Sequence, residues 1–163
     1  MPVAHVNRKR QTYFLHEGKT KTGKPKYFFS KDSEGTLLDA VPDGYEIYEN
    51  PNAQVFLRKA MPEIITDEEV AAVQIGLRKF APSQNCIVGT KGEYIEVFQA
   101  EGGHYHKMLR FTLTDEATRQ FSVDRWCFQG SIDDWFFLDC GELRKLVEKY
   151  CRHLGKESFF ELM

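Results

Sequence analysis

Seven cations crowd the first 26 residues of this chain: Arg8, Lys9, Arg10, Lys19, Lys21, Lys24 and Lys26. Ammonium and guanidinium groups neutralise phosphates and release their condensed counterions, so the set reads as a polyanion-binding footprint. Tyr13, Phe14, Tyr27, Phe28 and Phe29 are interleaved with it, and aromatic rings on strands can stack unpaired bases. Lys31 adds an eighth cation against Glu17 alone, a net of +7 over residues 1–31, whereas 14 basic and 23 acidic residues leave the remainder at −9. Such a split fits an arm that grips nucleic acid, or one that docks on an acidic protein or on a second copy of the chain as a homodimer.

A second constellation is His104-Tyr105-His106. On a strand, residues i and i+2 point the same way, so two imidazoles could converge on one metal ion. A third ligand, from His16, His153, Cys127 or Asp133, would have to come from the fold. The plainer account is two half-exposed histidines at a strand start, so no metal or cofactor is expected. With or without a metal, the pair would be the working groups if the chain were a small enzyme. Adjacent Asp133 and Asp134 read as solvated turn acids, because strand neighbours point to opposite faces. The sequence contains no G-x-S-x-G, no G-x-G-x-x-G and no G-x-x-x-x-G-K-[ST]. Nucleophile-elbow, dinucleotide and P-loop readings thus lose their main support. Cys86, Cys127, Cys140 and Cys151 are unevenly spaced, without a C-x-x-C, in or beside apolar segments. They read as inert, reduced thiols, which places the protein in the cytoplasm. Trp126, Phe128, Trp135, Phe136 and Phe137 are expected to fill a core.

Several elements must position these groups. Residues 1–10 lack periodicity and read as a flexible basic tail. Gln11–Glu17 and Lys26–Lys31 read as strands of a hairpin about Gly18–Pro25, with a short strand to follow at Thr36–Leu38. Glu46–Glu49 and Gln54–Lys59 form a second hairpin about Asn50-Pro51-Asn52-Ala53. Residues 11–60 are thus expected to be a small β-hairpin module and 61–163 an α+β domain, with no internal repeat.

In that second part Thr66 and Glu69 form a capping box for a helix that Pro82 ends. Strands follow at Asn85–Thr90, Glu93–Gln99, His104–Thr114, Arg119–Phe128 and Asp134–Leu138, with turns at Lys91-Gly92 and Gly130-Ser131. In the third, Tyr105, Leu109, Phe111 and Leu113 share one phase; His104, His106, Met108, Arg110 and Thr112 share the other. Asp139 is expected to cap a last helix whose stripe is Leu143, Leu146, Val147, Tyr150 and Leu154. Ser158–Met163 reads as an edge strand. The fold class is α+β: an N-terminal pair of β-hairpins, then an antiparallel sheet flanked by two helices on one face. No apolar run approaches membrane-spanning length and no secretory signal is evident, so no membrane partner is expected. Together these features favour a non-enzymatic binding or accessory protein.

Overall fold

The computed structural model describes residues 1–129 and 132–162, without the side chains of Phe128, Gln129, Ile132 and Asp133. The turn expected at Gly130-Ser131, and the roles considered for Phe128 and Asp133, lie outside the described residues. The chain is mixed α and β, mostly sheet, with ten strands in three antiparallel sheets and two α-helices among the described residues. It divides into two compact units, Met1–Ala60 and Met61–Met163. No described helix is long and apolar enough to cross a membrane.

Residues 1–10 are not a free tail: Ala4–Val6 form strand β1, antiparallel to β2 (Thr12–Lys19). On its other edge β2 pairs with β3 (Pro25–Ser30). Beyond β1, Leu37 bridges to His16, so the short strand expected near Thr36–Leu38 is a single bridge. Strands β4 (Tyr45–Glu49) and β5 (Val55–Lys59) form the second sheet. Leu15 is fully buried, and its phase-mate Tyr27 meets Tyr45 edge-on at 5.5 Å.

Two turns in this unit share one design. Asn7 and Asn50 each begin a five-residue turn that ends in glutamine, Gln11 or Gln54. In each, the asparagine Oδ1 accepts two backbone N–H groups, from Lys9 and Gln11 in one and from Asn52 and Gln54 in the other. In each, the asparagine Nδ2 donates to the glutamine Oε1. In each, the fourth residue, Arg10 or Ala53, is left-handed, with φ of 62° and 63°. The same local turn is thus built twice in this unit. Its signal, N-x-x-x-Q, is visible in NRKRQ and NPNAQ. The turns also dock on each other, because Asn7 Nδ2 donates 2.9 Å to the Ala53 carbonyl. Asn7 is only 4% exposed. Replacing it with alanine removes the partner of several backbone groups, each of which costs about 1–3 kcal/mol if left dry. A loss of about 2 kcal/mol or more is expected in denaturant unfolding of Asn7→Ala.

In the second unit, α1 (Asp67–Phe80) starts at Thr66, whose hydroxyl accepts from the Glu69 N–H while Glu69 receives the Thr66 N–H. The same carboxylate takes the Arg119 guanidinium, which also donates to the Ile64 carbonyl at 2.9 Å. Five strands follow as a meander: β6 (Cys86–Lys91), β7 (Tyr94–Glu101), β8 (His104–Asp115), β9 (Gln120–Gln129) and β10 (Ile132–Glu142). Their buried side chains, such as Val97, Phe111, Phe121 and Val123, share one core with Val73 and Leu77 of α1. Leu146, Val147 and Tyr150 of α2 (Leu143–Cys151) complete it.

Three local expectations change here. Asp139 does not cap α2, because β10 runs on through Glu142, and α2 starts without a side-chain cap. Asp139 instead accepts from Lys149 Nζ and Tyr150 Oη, each at 3.0 Å. Residues 157–161 form a short 3-10 helix rather than an edge strand. Arg125 holds that segment by donating to the Leu162 and Phe160 carbonyls. Finally, Val97 pairs with Leu109 but Phe98 with Lys107, so Met108 is an extra residue, a β-bulge. Met108 and Leu109 are both buried, and the alternation of β8 reverses there.

Candidate polyanion-binding site

The seven predicted cations do not gather in one place. They divide between the two ends of β2, a strand of eight residues and roughly 25 Å at ~3.3 Å each. At its start lies the turn carrying Arg8, Lys9 and Arg10. Here Arg8 is already engaged. Its backbone N–H and its Nε donate to Glu49 Oε2 at 3.0 and 2.7 Å, and its terminal nitrogen donates to the Asn50 carbonyl. His5 Nε2 stands 3.0 Å from the other Glu49 oxygen. Burial alone would raise the Glu49 carboxyl, but hydrogen bonds from His5 and Arg8, together with the Arg8 charge, hold it below its ordinary value. Arg8 therefore serves the fold, stitching the β1–β2 turn to the β4–β5 turn. Lys9 and Arg10, exposed at the same end, enter no ion pair among the described residues.

At the far end of β2 stand Lys19, Lys21, Lys24 and Lys26, all exposed. Among the described residues none of these four enters an ion pair. The tip is an ordered turn: the Thr20 N–H donates to the Lys24 carbonyl, the Gly23 N–H to the Thr20 carbonyl, and the Lys24 N–H to Thr20 Oγ1. A cavity of about 350 Å³ lies beneath it, lined by Glu17, Gly18, Lys19, Gly23, Pro25 and Thr36.

The aromatic residues divide by strand phase. Lys26 and Phe28 share a face of β3. On it Phe28 stacks on His16, with ring centroids 5.1 Å apart and planes within 8°. His16 is 5% exposed, and its Nε2–H donates 2.8 Å to the Asp32 carbonyl, which locks the imidazole beneath the phenyl ring. Phe28 is 41% exposed. Gly18, opposite Lys26, lies against the edge of that ring, and a Cβ there would make ordinary contact with it at 3.4 Å. The cationic end of the hairpin therefore carries one open aromatic surface, braced from below. The pairing of Phe28 with His16 is set by strand register across the hairpin, so charge and composition alone did not single it out.

The second unit holds another cation–aromatic cluster. Arg110 lies between the rings of Tyr94 and Trp135, 4.9 and 4.6 Å from their centroids, and its Nη2 donates 3.0 Å to Asp124. Trp126 meets Trp135 edge-on at 5.1 Å, and Lys107 lies 4.9 Å over Trp126. The aromatic character of these tryptophans suits a core. They instead take the strand phase opposite the buried side chains, paired with each other across β9 and β10. The bulge at Met108 places Lys107 in this phase and takes His104 and His106 out of it. Among the described residues, no group of three or more His, Cys, Asp or Glu side chains stands where it could hold a metal ion.

The thiols are unpaired. Burial pushes Cys86 up to about 11 and Cys151, which also feels Cys86, up to about 12. Neither carries appreciable thiolate near neutrality, so neither is placed to attack. Iodoacetamide at about pH 8 is expected to label exposed Cys140 in the native protein and to reach Cys86 and Cys151 only on unfolding. Mass spectrometry of peptides after timed quenching would check this.

No protein-family model matches the chain, and no curated protein or solved structure matches it.

Proposed function

We propose that the lysine-bearing end of the β2–β3 hairpin binds single-stranded nucleic acid. The observation that carries this reading is the open Phe28 ring, braced on His16 and sharing its face with Lys26, at a hairpin end whose four lysines enter no ion pair among the described residues. Lysines alone would suit any polyanion, but a braced, solvent-facing ring suits a base, because every base has a face to stack. Lys19, Lys21, Lys24 and Lys26 contact phosphates, Phe28 stacks, and Lys9 and Arg10 extend the contact along β2. The activity is non-enzymatic. Residues 61–163 act as a separate α+β domain, with both helices on one face of the meander. Four unpaired thiols favour a reducing compartment, the cytoplasm.

Fluorescence anisotropy tests it with three probes at about 50 mM salt: a labelled single strand, a duplex and inorganic polyphosphate. The single strand is expected to bind, and Phe28→Ala to weaken it about tenfold, a typical stacking loss. Binding of polyphosphate as tight as the oligonucleotide, with Phe28→Ala silent, would reduce the site to charge capture. No binding of any probe would end the reading.

A further inference from the structure

A groove of about 480 Å³ lies between α1 and α2, where Ala72, Ile75 and Val147 line it together with the charged Glu68, Lys79, Arg144 and Glu148. Ile75 is 59% exposed, a large apolar side chain that its own fold leaves in water. Glu68, Ala72, Ile75 and Lys79 fall at i, i+4, i+7 and i+11, one stripe along the helix. Among the described residues neither Glu68 nor Lys79 has an ion-pair partner.

We propose that this stripe is the contact of a homodimer, in which two copies of α1 cross antiparallel about a two-fold axis between Ala72 and Ile75. In an isologous contact, residue i meets j and j meets i. Antiparallel α1 helices centred there bring Glu68 against the partner subunit's Lys79, and Lys79 against the partner subunit's Glu68. The same operation sets Ile75 over the partner subunit's Ala72, whose short side chain leaves depth for it beside Val147. A parallel pair would oppose Glu68 to Glu68 and Lys79 to Lys79. A foreign helix of one charge sign would gain at one end of the stripe and lose at the other. The occupant that satisfies both ends is the reversed copy of α1 itself.

The test is light scattering on the full chain across about 1–200 μM, where a dimer of moderate affinity dissociates by mass action. A dimer that Ile75→Asp makes monomeric is expected. Glu68→Lys and Lys79→Glu, each turning two attractions into repulsions, should each weaken the dimer about tenfold to thirtyfold. The double variant should regain wild-type affinity, and an equimolar mixture of the two single variants should form the heterodimer. All three substituted positions are outside the core, and circular dichroism would verify that the variants fold. A wild-type monomer at the highest concentration overturns the proposal. So does a dimer indifferent to Ile75→Asp, or a double variant as weak as the singles.

Discussion

Replacing Lys19, Lys21, Lys24 and Lys26 together by alanine is expected to flatten the salt dependence of oligonucleotide binding. Each phosphate contact on a single strand contributes about 0.7 to the slope of log affinity against log salt, so four contribute about 2.8. Between about 50 and 200 mM salt that slope alone costs roughly 50-fold in affinity, and the quadruple variant should lose this steepness along with most of its binding. The substitutions lie on exposed side chains without ion pairs, so thermal stability should hardly move. Arg8→Ala makes the contrasting control. Its guanidinium is committed to Glu49 and Asn50, so its loss should lower stability and leave the salt slope almost unchanged. An unchanged slope in the quadruple variant would place the phosphate contacts elsewhere.

Gly76→Ala in α1 should lower stability, against the usual sign. A glycine-to-alanine change within a helix normally gains up to about 1 kcal/mol. Here Gly76 is buried where the helices touch, and an added Cβ would overlap Cγ1 of Val147. Either Val147 leaves its rotamer or the helices part, and overpacking of this kind costs about 1–3 kcal/mol. In a unit of this size each kcal/mol lowers Tm by about 4–8 °C. Val147→Ala removes the offending methyl, so the double variant should be less destabilised than the sum of the singles, by about 1 kcal/mol or more. A rise in Tm for Gly76→Ala alone would mean that the helices yield at this point.

The parts of the fold legible in the sequence were those with local causes. Thr66 and Glu69 stand three apart and cap each other, so the start of α1 could be read directly. Leu143, Leu146, Val147 and Tyr150 repeat at helical spacing, and α2 follows. What was hidden depends on register or on distant partners. The bulge at Met108 adds one apolar residue beside Leu109, which a period-two pattern absorbs as noise, yet it reassigns every side chain from His104 to Lys107. Asp139 resembles a helix cap in sequence, but β10 continues past it and the carboxylate serves Lys149 and Tyr150. At the candidate site the cations could be counted, but not their separation. Arg8 is removed by Glu49, 41 residues away, and β2 carries the others to opposite ends. The brace of His16 under Phe28 follows from strand pairing, which composition does not contain.

The order of the strands bears on how the chain reaches this structure. Every named ladder, from β1–β2 to β9–β10, joins strands consecutive in sequence. Within the sheets this keeps contact order low, and folding rates rise as contact order falls. Each hairpin closes a short loop, an event of about 1–10 μs, and the meander then grows by adding one neighbour at a time. Refolding is therefore expected to outpace that of sandwiches or parallel sheets of similar length. Edge strands would then spend little time unpaired, which limits the interval in which aggregation competes.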